Sequence, residues 1–210
     1  MLVGRQQVLE PLGLSDEPAV SGGTMRVGTL ALLLAVVTAP ACGGGSGGSP
    51  GGSPTPLAAS FVPDQPSPVA NNVAMAQGVT SNDVVTVNVT LTDASGVYAT
   101  AFEVVFDDTH TVYLGFTHGS AFEQGGNSPI YTVNTVSGAT NPGRIVVGVA
   151  RTGLISTNVS GTQTVLGLQF RVKQAGVFPL SVQNAVVYDS QPTPQPIPGI
   201  AWFAGAVEGV

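Results

Sequence analysis

Residues 164–173, TVLGLQFRVK, place Leu166, Leu168, Phe170 and Val172 at alternate positions, with Gly167, Gln169, Arg171 and Lys173 between them. Successive side chains on a strand point to opposite faces, so a period of two predicts a strand with one buried and one wet face. Residues 83–92 repeat the pattern, with Val85, Val87, Val89 and Leu91 on one side and Thr86, Asn88, Thr90 and Thr92 on the other. No stretch beyond residue 57 sustains apolar spacing at three and four residues. A helical layer is therefore not expected, and the chain must bury sheet against sheet.

Further β-type runs lie at 57–62, 73–76, 97–106, 112–116, 130–136, 144–150, 177–182, 186–188 and 200–207. In 97–106 the spacing sends Phe102, Val104 and Phe106 inward and Glu103 and Val105 outward. Turn chemistry separates the runs, as at Asp93–Gly96, Asp107-Asp108 and 137–143. Composition agrees: 28 glycines and 16 prolines favour turns over long helices. The expected fold is all-β, an antiparallel two-sheet β-sandwich or jelly roll of about nine strands, built by residues 57–210 as one domain.

The amino-terminal quarter reads as an address. Met25-Arg26 precedes the apolar run Leu30–Val37, and Ala39-Pro40-Ala41-Cys42 follows. Basic start, short apolar middle and small residues at a cut are the plan of a secretory signal. Two cleavages fit. Ala39-x-Ala41 suits an ordinary signal peptidase, which would release a soluble protein. Cys42, directly before a glycine-rich stretch, resembles the lipidated cysteine of bacterial lipoproteins, which would leave the protein on the cell envelope by an N-terminal lipid anchor. Residues 1–24 carry Glu10, Asp16 and Glu17 ahead of the basic residue, so translation is expected to start at Met25. Residues 43–56, GGGSGGSPGGSPTP, form a Gly/Ser/Pro linker with nothing apolar to bury and a coil span on the order of 20 Å.

Several function classes drop out. Six basic residues against twelve acidic ones build no phosphate-tracking stripe, so no nucleic-acid partner is expected. The single cysteine, Cys42, rules out a disulfide framework or a cysteine-based metal site within one chain. His110 and His118 stand near Asp107, Asp108 and Glu123, but their spacing matches no metal motif. The histidines are read as loop surface and the aspartates as turn formers. No Gly-x-Ser-x-Gly elbow occurs. Glu103 and Glu123 could be paired on paper for glycoside hydrolysis, which stands as a distant third reading. No catalytic residue, metal or cofactor is assigned. Asn88 and Asn158 head glycosylation sequons and are read as ordinary polar residues.

The order of segments resembles the cohesin domain, a sandwich module that receives dockerins. The resemblance rests on 82–108 (NDVVTVNVTLTDASGVYATAFEVVFDD), 111–122, 144–156, 161–189 and the closing AGAVEGV of 204–210. It implies a non-catalytic extracellular module that docks a protein at the cell envelope, with a tie to polysaccharide degradation. It further implies a partner-binding face on one sheet, made by the strands at 97–106, 130–136, 144–150 and 177–182. Glu103, Val105, Thr132, Asn134, Val146 and Gln183 would point outward there. No dockerin-like calcium-loop repeat is present, so this chain would be the receptor. The alternative is a carbohydrate-binding module, for which Trp202, Phe203 and Tyr98 are the candidate sugar-stacking rings.

Overall fold

The structure is a computed structural model that describes residues 56–136 and 142–210. The leader, Cys42 and residues 43–55 of the linker lie outside the described residues, as does most of the 137–143 turn. Eleven strands follow one another: β1 (Ala59–Pro63), β2 (Asn72–Ser81), β3 (Val84–Val97), β4 (Ala99–Phe106), β5 (Thr111–His118) and β6 (Ile130–Val136). They continue as β7 (Gly143–Ala150), β8 (Thr157–Val172), β9 (Gly176–Tyr188), β10 (Ala201–Phe203) and β11 (Gly205–Gly209). The only helical element among the described residues is a 3-10 turn over Gln124–Gly126.

Two sheets form. One has six strands in the order β1-β11-β9-β4-β7-β6, and the other has five in the order β10-β2-β3-β8-β5. All pairings are antiparallel except β10 with β2, which run parallel. The alternation read from sequence becomes the core. Val85, Val87 and Val89 of β3 and Leu166, Leu168 and Phe170 of β8 are sealed from solvent. Phe102, Val104 and Phe106 of β4 meet them from the opposite sheet. Rings join the layers: Phe106 meets Phe170 edge-on at 5.5 Å, and Phe102 meets Trp202 at 5.3 Å. Each such side chain taken from water contributes about 1.5–3 kcal/mol.

The structure has eleven strands against the nine or so expected, and two stretches divide differently from the runs read in the sequence. At 200–207 a single run was expected. There β10 pairs with β2 in the smaller sheet, and β11 pairs with β1 and β9 in the larger one, with Ala204 between them. Gly205 opens β11 where a Cβ would stand 2.4 Å from the Val62 carbonyl oxygen, so only a bare backbone passes. Conversely, 177–182 and 186–188 are one strand, β9, interrupted by a bulge. Glu103 faces Gln183 but Ala101 faces Val186, which gives β9 one extra residue, with Asn184 at φ 49°.

Candidate functional site

The outer face of the six-stranded sheet is a register-locked lattice. Gln183, Glu103, Val146 and Asn134 lie side by side across β9, β4, β7 and β6. The next row is Val186, Ala101, Gly148 and Thr132, and the row beyond it is Tyr188, Ala99, Ala150 and Ile130. On the other flank stand Ser181, Val105, Arg144 and Val136. Glu103, Val105, Thr132, Asn134, Val146 and Gln183 are thus all brought onto one surface. Inward neighbours on the same strands, such as Val104, Val147 and Ile145, are fully buried, which fixes the outward parity of the rest.

Two properties set the chemistry of this face. Half of the inner rows is small: Ala99, Ala101, Gly148 and Ala150 leave a low floor beside the taller Gln183, Glu103 and Asn134. At the β6 edge, Ile130 and Val136 are 60% and 51% exposed, so apolar surface flanks the polar centre. Charge is nearly balanced, because Arg144 Nε stands 3.4 Å from Glu103 Oε2 across the β4–β7 pair. That oxygen is buried and, beyond the ion pair, accepts no hydrogen bond. The small floor residues and the exposed edge of β6 were not singled out from sequence. Their signal is the outward half of the same alternation.

The other candidates sit elsewhere. Trp202 faces inward onto Phe102, and its neighbour Phe203 points to the other side of β10. Tyr98 is the single residue between β3 and β4, with its N–H donating to the Tyr188 carbonyl and its own carbonyl accepting from the Arg151 N–H. No ring contact joins these three among the described residues.

The histidines are not plain loop surface. His110 Nδ1 pairs with Asp107 Oδ2 at 2.6 Å, and its ring stacks on Phe178 at 5.3 Å. His118 closes β5 and stacks on Tyr131 of β6, with centroids 4.1 Å apart and planes 3° from parallel. Each ring is claimed by a different aromatic neighbour, Phe178 for His110 and Tyr131 for His118. Among the described residues no group of three or more His, Cys, Asp or Glu side chains converges as a metal site. Asp107 does form the turn, accepting from the Thr109 and Thr111 backbone N–H groups. Glu103 lies on the sheet face, whereas Glu123 follows β5 beside Tyr131, so the two carboxylates belong to separate surfaces.

Comparison with known proteins decides the family. The family profile described as the cohesin domain matches residues 69–207, about two thirds of the chain. The protein belongs to the cohesin family. Its fold is similar to the seventh ScaB type I cohesin from Pseudobacteroides cellulosolvens, at 17% identity and a TM-score of 0.50 over 64% of this chain and 88% of that one. The sixth cohesin of scaffoldin B from Acetivibrio cellulolyticus, solved with a mutant Cel5 dockerin, is 22% identical over 59% of this chain and 86% of that one, with a TM-score of 0.45. The non-cellulosomal cohesin from the archaeon Archaeoglobus fulgidus is 20% identical over 59% and 78%, with a TM-score of 0.43. No curated protein matches the chain.

Proposed function

We propose that this cohesin is a non-catalytic docking receptor that holds a dockerin-type protein on the outer face of its six-stranded sheet. The observation that carries the reading is the lattice itself: a register-locked surface with a low Ala/Gly floor, polar groups at its centre and exposed apolar residues at its edge. Six strands spaced by about 4.8 Å, from five residues in β1 and β11 to thirteen in β9 at about 3.3 Å each, give an area on the order of 700 Å². That approaches the ~800 Å² per partner of a standard interface. A mixed polar and apolar patch of this size suits a protein partner.

The leader supports export, and Cys42 ahead of the Gly/Ser/Pro linker supports a lipid tether at the cell envelope. A flexible tether lets the domain reorient toward its partner. Metabolic labelling with a fatty-acid analogue tests the anchor, and an unlabelled Cys42 would leave a secreted protein instead.

Docking is tested by surface plasmon resonance of the purified protein against a panel of dockerins. Ala101→Trp raises a ring over the low floor without touching the core, and is expected to abolish binding while the melting temperature stays unchanged. Absence of binding to every dockerin, or binding that survives Ala101→Trp, would remove the basis for the assignment.

A further inference from the structure

A second surface, on the sandwich's open side, has the makings of a ligand site. The edge strands β5 and β6 belong to different sheets, and their inward side chains meet across the gap between the layers. Phe116 and His118 of β5 pack with Tyr131 of β6, at centroid distances of 5.7 Å (Phe116–His118), 6.1 Å (Phe116–Tyr131) and 4.1 Å (His118–Tyr131). Beside this stack opens a cleft of about 500 Å³, whose lining includes His118, Tyr131, Glu123 and Ser128. That volume falls within the range of small-molecule sites.

The walls are held rigidly. Arg151 is only 5% exposed, and its guanidinium donates to the carbonyls of Phe122, Gln124 and Ile155 at 2.8, 2.8 and 3.0 Å. Asn127 clamps the same two loops by bonding both the carbonyl and the N–H of Thr152. Tyr131 is fixed by its hydroxyl, which donates to the Gly119 carbonyl at 2.9 Å. Within this frame the Glu123 carboxylate and the Ser128 hydroxyl make no hydrogen bond to any described residue. An aromatic plate is thus bordered by two groups with unused hydrogen-bonding capacity, Glu123 and Ser128.

We propose that this cleft binds a saccharide, with a pyranose ring lying on the His118/Tyr131 stack and its hydroxyls shared between Glu123 and Ser128. The geometry of the stack selects the ligand class. Two rings 3° from parallel cover one another's faces and leave a flat plate, to which the apolar C–H face of an all-equatorial sugar is matched. A cage for an ammonium ion needs rings set at angles around the charge. Glu123 adds an acceptor that can take two neighbouring hydroxyls, a charge-assisted arrangement stronger than a neutral pair. The site lies on the opposite side of β6 from the docking face, so it stands or falls independently of dockerin binding.

The test titrates the full chain with cellotriose, xylotriose, maltotriose and, as a cationic control, tetramethylammonium, following the ring proton signals of His118 and Tyr131 by NMR. At least one trisaccharide is expected to shift both rings. His118→Ala should weaken that binding about three- to tenfold, the loss expected for one ring stack. Glu123→Gln should weaken it about tenfold by removing the charged acceptor. Both residues are exposed, so the variants keep their fold, which the unchanged melting temperature verifies. Ring signals that no sugar moves, affinity indifferent to both substitutions, or a response to tetramethylammonium alone would overturn the proposal.

Discussion

Replacing Arg151 with leucine isolates how much one buried cation contributes to this all-β domain. The guanidinium is held by three carbonyl oxygens and, among the described residues, by no carboxylate. Hydrogen bonds to a charged group net about 1.5–3 kcal/mol each, so the three together contribute about 4–9 kcal/mol. Leucine also removes the desolvation cost of the buried charge, which is several kcal/mol in that direction. Of the carbonyls left behind, those of Gln124 and Ile155 sit on solvent-accessible residues and can hydrate, while that of the fully buried Phe122 cannot. One stranded acceptor costs about 1–3 kcal/mol. The balance is a destabilisation of about 2–4 kcal/mol, or a fall in Tm of about 5–15 °C for a domain of this size. Urea unfolding followed by tryptophan fluorescence reads it directly, because Trp202 is the sole tryptophan and packs on Phe102 in the core. Since the partners are dipoles, the loss should be the same at low and high salt. A change below about 0.5 kcal/mol, or one that disappears in salt, would refute the reasoning.

Other consequences can be checked alongside. Phe170→Ala removes a fully buried ring that touches Phe106 and Tyr113, and should cost about 3–5 kcal/mol in the same unfolding assay. Gly119→Ala forces a Cβ to within 2.1 Å of the Thr164 carbonyl oxygen; a loss of about 1–3 kcal/mol is expected, with the Tyr131 ring signals shifting as the Gly119 carbonyl moves. Burial holds the phenols of Tyr113 and Tyr131 above the ordinary value of 10.0, with the Glu123 charge adding to the rise at Tyr131. The unfolded chain then loses these protons first. Their stabilising contribution is complete below about pH 10 and declines as pH climbs from the unfolded phenol value to the higher folded ones. Ultraviolet tyrosinate titration of the folded protein should show the phenols of Tyr113 and Tyr131 ionising late.

The strands legible in the sequence were those with one face sealed and one open, because burial leaves an alternating record. β3, β4 and the second half of β8 are of this kind. The pattern fails where the backbone departs from a regular ladder. The extra residue at Asn184 flips the parity of β9, so Phe178, Leu180 and Val182 face in before it and Val187 faces in after it. β2 reaches beyond residue 76 through the largely exposed Gln77–Ser81 stretch, across a shift in register where the one apolar residue, Val79, points to solvent. The sheet change at Ala204 is silent because WFAGAV reads equally well as one strand or two.

The proposed docking face was read from alternation together with family resemblance, and its six residues lie on one sheet face. The edge cleft did not follow. Tyr131 and His118 are thirteen positions apart on strands of different sheets, and Arg151 reads as one more polar residue after β7. Their convergence is a property of how the sheets close, which local spacing does not encode.

The most direct test of docking is an amide chemical-shift map of the isotopically labelled protein as a bound dockerin is titrated in. The largest shifts should fall on Glu103, Ala101, Val146, Gly148, Thr132 and Gln183, tracing a continuous band across four strands. Shifts concentrated instead on β2, β3 and β8 of the opposite sheet would contradict the account.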